Sequence, residues 1–151
     1  MNKTIALIGL GLIGGSVSMA LRGFEDYTVV GVDRDEATLT FAREHGVADV
    51  VTADTLTAIR QADVTFLCLH PQAIVDFMAE HRADFRPGSL VTDVCGIKTA
   101  IMEGARVLPP EVDFIGCHPM AGKETSGVFN ADKNLFARAH FIITPRAESR
   151  P

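Results

Sequence analysis

The sequence has no tryptophan, one tyrosine and only three cysteines in 151 residues. Cys68, Cys95 and Cys117 are odd in number and widely spaced, which argues against a disulfide framework or a Cys-x-x-Cys metal site. They read as reduced thiols near strand ends in a cytoplasmic protein, not as nucleophiles. Basic charge is scarce too. Fourteen Lys and Arg against nineteen Asp and Glu leave a net charge of −5, with the basic residues scattered. That gives no electrostatic footprint for nucleic acid and no polybasic cluster for a membrane surface. No apolar run reaches the roughly 18 residues of a membrane span. The amino terminus runs into an apolar strand, so no cleavable leader is expected. There is no internal repeat and no low-complexity segment.

What is present is apolar substance, 47% of residues with a mean hydropathy of +0.20, enough for one domain with a core. The apolar runs alternate with helical patterns. Strands are expected at 5–8, 27–32, 47–51, 64–69, 90–94, 112–116 and 141–144. Helices are expected at 12–21, 36–44, 55–61, 72–81 and 98–107. The run Val64 to Leu69 is apolar throughout and belongs in the middle of a sheet buried on both faces. His45-Gly46, Arg86-Pro87-Gly88 and Pro109-Pro110 punctuate the pattern. Alternation of this kind predicts an α/β fold, a doubly wound parallel sheet over residues 1–145, with 146–151 as a linker or the end of the piece in hand.

The organising stretch is Thr4 to Ser16, TIALIGLGLIGGS. A strand breaks into Gly9-x-Gly11-x-x-Gly14 and a helix follows, the dinucleotide-binding order. Gly9 permits the turn, Gly11 lets the backbone approach a pyrophosphate, and Gly14 lets helix lie on strand. Leu10, Leu12 and Ile13 complete the loop, whose helix start offers unpaired N–H groups to phosphate. The second strand ends in Asp33, positioned to accept hydrogen bonds from the adenosine ribose. A carboxylate there repels a 2′-phosphate, which favours NAD over NADP. Arg34 tempers that preference, because a guanidinium could bind the phosphate or stack on adenine.

Ligands of open parallel sheets bind beyond the carboxyl ends of the strands. The polar residues expected there are Asp33, His70, Thr92-Asp93 and the cluster GCHPMAGKETSG. His118 is the candidate proton acceptor, since an imidazole takes or gives a proton near neutral pH. A histidine capping the strand end is the competing reading. Leu69 and His70 would wall the cofactor. Asp93 could hold cofactor or loop backbone. Lys98 could meet a substrate carboxylate or simply open its helix. Glu124 and Ser126 could bind substrate or His118. No metal-ligand spacing is apparent.

With these residues placed, the chain resembles the prephenate dehydrogenase family. The segments that carry the resemblance are GLGLIGGSVSMAL with GVDRD, VTDVCGIK beside a TDVGSVK pattern, and FIGCHPMAGKETSGVFNADKNLF followed by FIITP. The resemblance implies a Rossmann dinucleotide-binding domain that uses NAD (NADP possible) to oxidise and decarboxylate prephenate, or arogenate in some members, in tyrosine synthesis. It puts the catalytic histidine at His118, the loop glutamate at Glu124 and the family lysine at Lys98. Gly96 stands where a serine is common. The resemblance also implies a helical second domain that dimerises and supplies arginine to the substrate, and 151 residues do not provide it. The chain is therefore expected to bind cofactor but turn over poorly. A nucleotide-binding module without chemistry is the alternative from another class.

Overall fold

The structure is a computed structural model and describes residues 2–151. Its elements are β1 (Lys3–Ile8), α1 (Leu12–Leu21), β2 (Tyr27–Val32), α2 (Glu36–Glu44), β3 (Val50–Thr52), α3 (Thr55–Gln61), β4 (Val64–Leu67), α4 (Pro71–Glu80), β5 (Leu90–Asp93), α5 (Thr99–Gly104), β6 (Asp113–Pro119) and β7 (Phe141–Pro145). Short 3-10 turns follow α5 (Ala105–Val107) and precede β7 (Val128–Asn130). The sheet order is β3-β2-β1-β4-β5-β6-β7. The first six strands are parallel, and β7 runs antiparallel to β6. This is a Rossmann-like sheet whose winding reverses between β1 and β4.

The unbroken apolar runs are explained by burial on both faces. In β1, Ile5 and Leu7 face one core, with Leu10, Val17 and Ala42. Ala6 and Ile8 face the other, with Ile59, Ile74, Met78 and Ile101. Side chains alternate along a strand, so a strand buried on two faces has no polar position to spare. Helices α2 and α3 begin on Asp35 and Asp54, whose carboxylates accept the Thr38 and Thr57 N–H groups.

Four expected strands have other boundaries in the structure. The third strand is Val50–Thr52, not 47–51. Gly46 turns the chain at φ +62°, and Val47 folds inward, its N–H on Ala42 and its carbonyl accepting from Ser18 Oγ. Strands β4 and β5 end early, at Leu67 and Asp93; past them Cys68 N–H still donates to the Ile8 carbonyl and Cys95 N–H turns back onto the Asp93 carboxylate. Strand β6 instead continues to Pro119, because β7 pairs with it from Ile115 to Pro119. An apolar edge segment such as FIITP reads the same in either direction, so its antiparallel sense was not legible. Segment 146–151, expected as a linker, folds back on β6: Ser149 Oγ donates to the Phe114 carbonyl and Arg150 N to Asp113.

The titrating groups set a pH window for stability. Burial would raise the Asp113 carboxyl, but the Arg150 and Phe114 N–H groups and the Arg146 and Arg150 guanidiniums hold it below the usual range. Asp49 is held low against burial by Val29 N–H and Arg22. A carboxyl lowered on folding stabilises above its unfolded pKa and loses that contribution as pH falls. Burial raises all three thiols. A group raised on folding stabilises below its unfolded pKa and loses that contribution as pH rises. Thermal melts should therefore be highest between roughly pH 5 and 8 and fall on both sides. A melting temperature still climbing at pH 10 would contradict the thiol assignment.

Candidate active site

The glycine turn separates fold from binding. A Cβ on Gly14 would lie 1.9 Å from the Gly9 carbonyl oxygen, and one on Gly9 would lie 2.5 Å from the Cys68 carbonyl with φ at +95°. Neither position admits a side chain. Gly11 is different: a Cβ there meets nothing within 4 Å, and its backbone is ordinary and extended. Its missing side chain leaves open space at the start of α1. That helix has no side-chain cap and no acidic residue in its first turn. The first intrahelical bond is Gly15 N–H to Gly11 O, so the N–H groups of Leu12, Ile13 and Gly14 point out of the helix end unpaired within it. The donors and the free space fit a dinucleotide pyrophosphate.

Asp33 braces this turn. Its Oδ2 accepts from Leu10 N–H at 2.9 Å and its Oδ1 from Asp35 N–H at 3.0 Å. Each carboxylate oxygen keeps a further lone pair for a ribose hydroxyl. Leu10 is thereby committed to the protein: its side chain is fully buried and its N–H is taken by Asp33. Arg34 is exposed. Leu69 packs beside Gly9, and His70 is the exposed N-cap of α4, ahead of Pro71.

His118 lies within β6, paired with Ile142, rather than after the strand. Ile8, Leu67 and Asp93 form one row across β1, β4 and β5, and Thr92 pairs with Ile115. His118 is thus beyond that row on the carboxyl side, as Gly9 is. Three interstrand spacings, about 14 Å, separate its strand from β1. The ring is half-buried, and among the described residues no protein group hydrogen-bonds either ring nitrogen. An imidazole at the crevice with free nitrogens can accept a proton.

Beneath it lies Asp93, fully buried. Its Oδ2 accepts from Cys95 N–H at 2.9 Å and is paired with the Lys98 ammonium, while Oδ1 accepts from Cys117 N–H at 3.2 Å. Of its two sequence readings, loop backbone is the one realised. Its carboxylate is buried and both oxygens are engaged by these partners. The Lys98 charge is engaged by Asp93 and its side chain is mostly covered. Glu124 and Ser126 are exposed on the loop after His118. Neither side chain has a protein partner among the described residues.

Several residues that shape the site were not singled out on sequence. The connection from β6 to β7 crosses α1: Val128 is buried in the core beside Val17, and Asp132 N–H donates to buried Ser16 Oγ at 2.9 Å. Gly15 makes room, since a Cβ there would lie 2.9 Å from the Ala131 Cβ. The signal was the small-residue run Gly14-Gly15-Ser16, two residues longer than the fingerprint requires.

The family described as prephenate dehydrogenase, nucleotide-binding domain, matches residues 17–151. The prephenate dehydrogenase of Lactococcus lactis is 33% identical over 97% of this chain and 42% of its own length. The cyclohexadienyl dehydrogenase of Zymomonas mobilis is 31% identical over 97% and 50%. The crystal structure of Synechocystis arogenate dehydrogenase superposes with a TM-score of 0.89 at 35% identity, over 98% of this chain and 52% of that one. The Aquifex aeolicus prephenate dehydrogenase, solved with hydroxyphenyl propionate and NAD+, shares the fold at a TM-score of 0.85 and 24% identity. The chain spans about half the length of these relatives. With the glycine turn, Asp33 and the β6 histidine on one edge of the sheet, these matches show that the chain belongs to the prephenate dehydrogenase family, as its nucleotide-binding domain.

Proposed function

We propose that this chain, over residues 1–145, is the cofactor-binding part of an NAD-dependent prephenate dehydrogenase and carries its proton acceptor, His118. The observation that carries the reading is His118 on the carboxyl edge of the sheet, a few strands from the open start of α1. NAD+ when bound supplies the hydride acceptor. The turn at Gly9 to Gly14 receives the pyrophosphate, Leu12, Ile13 and Gly14 offer N–H groups, and Asp33 takes the ribose. Leu69 and His70 line the nicotinamide side. His118 accepts the proton of the ring hydroxyl as hydride leaves the carbon that bears it. The ring carboxylate departs as CO2 and the ring becomes aromatic, giving 4-hydroxyphenylpyruvate. Glu124 and Ser126, exposed on the adjoining loop, are assigned to substrate.

The relatives' extra length supports a site completed by residues outside these 151, including cations for the substrate carboxylates and a dimer contact. Likeness to an arogenate dehydrogenase at 35% identity favours a second reading, in which the substrate carries an amine in place of the side-chain keto group. That difference is remote from the hydroxyl served by His118, so comparing turnover of the two substrates decides it.

Calorimetric titration tests the cofactor reading. NAD+ should bind at least tenfold more tightly than NADP+, about 1.4 kcal/mol, because Asp33 repels a 2′-phosphate. Equal affinities would remove Asp33 from the ribose, and binding of neither would refute the cofactor-binding role.

A further inference from the structure

We infer that the amino edge of the sheet carries a second ligand site, for a small organic monocarboxylate. A cavity of about 360 Å³ opens there, between the turn after α5, the start of β6 and the segment that follows β7. Arg146 lines it and is the unusual group. Its side chain is only 15% exposed, yet among the described residues no protein group accepts a hydrogen bond from its guanidinium, and Nε is buried and unpaired. The two carboxylates it faces stand just too far away. Asp113 Oδ1 is 3.6 Å from Nη2, and Glu148 Oε1 is 3.7 Å from Nε. Asp113 is already committed, accepting from the Phe114 and Arg150 backbone N–H groups. A guanidinium carries five donors, and leaving them unmet in a mostly buried place is costly.

The cavity is short of negative charge as well as of acceptors. Arg106 and Arg150 share its wall with Arg146, against the carboxylates of Asp113 and Glu148, which leaves one positive charge over. A single carboxylate cancels it and matches the planar fork of a guanidinium. A phosphate dianion would bring excess negative charge beside two carboxylates. The remaining wall is apolar, Leu108, Pro109 and Pro110, and suits a hydrocarbon body on that carboxylate. The site is separate from the dinucleotide crevice. Asp113 begins β6 and His118 stands near its other end, about 17 Å further along the strand. A ligand here leaves the glycine turn and His118 uncovered, so the inference does not rest on the proposed reaction.

Benzoate titrated into the 151-residue chain at constant ionic strength tests it. The Arg146 Nε–H resonance should move along one saturable curve, with Kd on the order of 1 mM. Benzyl alcohol has the body without the charge, and inorganic phosphate the charge without the body. Each should bind about tenfold more weakly or worse. Arg146→Met should abolish the response. Arg106→Gln combined with Arg150→Gln alters two exposed side chains, so the chain should fold as before and bind benzoate about tenfold more weakly. NAD+ affinity should hold within about twofold at saturating benzoate. An Arg146 resonance unmoved at about fifty times the expected Kd would overturn the site. Benzyl alcohol or phosphate binding as tightly as benzoate would overturn the monocarboxylate assignment. Displacement of benzoate by NAD+ would move it to the crevice and overturn the second site.

Discussion

Gly11→Ala should leave the chain folded with an almost unchanged melting temperature and weaken NAD+ roughly 10- to 100-fold, about 1.4–2.7 kcal/mol. The free protein has nothing within 4 Å of the new methyl, so the fold has no reason to respond. The methyl would instead stand between the pyrophosphate and the unpaired N–H groups at the start of α1, the region of strongest anion attraction. Gly14→Ala should behave in the opposite way. Its methyl would lie 1.9 Å from the Gly9 carbonyl and 2.9 Å from Cys68 Cβ. Helix and strand would have to part, at about 3 kcal/mol or more. Melting curves and calorimetry on the two variants read fold and binding separately. NAD+ binding of wild-type strength in Gly11→Ala would move the pyrophosphate away from the turn.

His118→Asn should lower kcat roughly 10²- to 10⁴-fold, the usual contribution of a positioned general base, and leave NAD+ affinity within about twofold. Asparagine keeps a polar side chain of similar reach but cannot accept the hydroxyl proton. Among the described residues no protein group hydrogen-bonds the half-buried ring, so the strand should not be disturbed. Turnover within threefold of the parent would favour a nucleotide-binding module with no chemistry at His118.

Much of the architecture was legible because both kinds of periodicity were unambiguous. Leu12–Leu21, Tyr27–Val32, Glu36–Glu44 and Thr55–Gln61 stand at the expected residues, each bounded by a glycine, a capping aspartate or a change of hydropathy. Less legible was anything decided by a partner distant in sequence. His118 was expected after a strand and lies within one, because β7 extends the pairing from more than twenty residues away. Asp93, at a strand end, could hold cofactor or loop backbone, and sequence did not show which. Its bonds to Lys98 and from Cys117 are made inside the protein. The strap that ties Asp132 to Ser16 spans 116 residues and left no trace beyond two small residues following the fingerprint. Local propensity does not report which polar groups the fold will set against one another.

The most direct test is a crystal structure of this chain with NAD+ bound. Hydride transfer needs reacting atoms about 3–3.5 Å apart, and proton transfer needs about 3 Å more, so the nicotinamide C4 should lie roughly 6–7 Å from the His118 ring. The pyrophosphate should lie against Gly11 and the adenosine ribose against Asp33. A nicotinamide far from β6, with His118 facing solvent alone, would contradict the account.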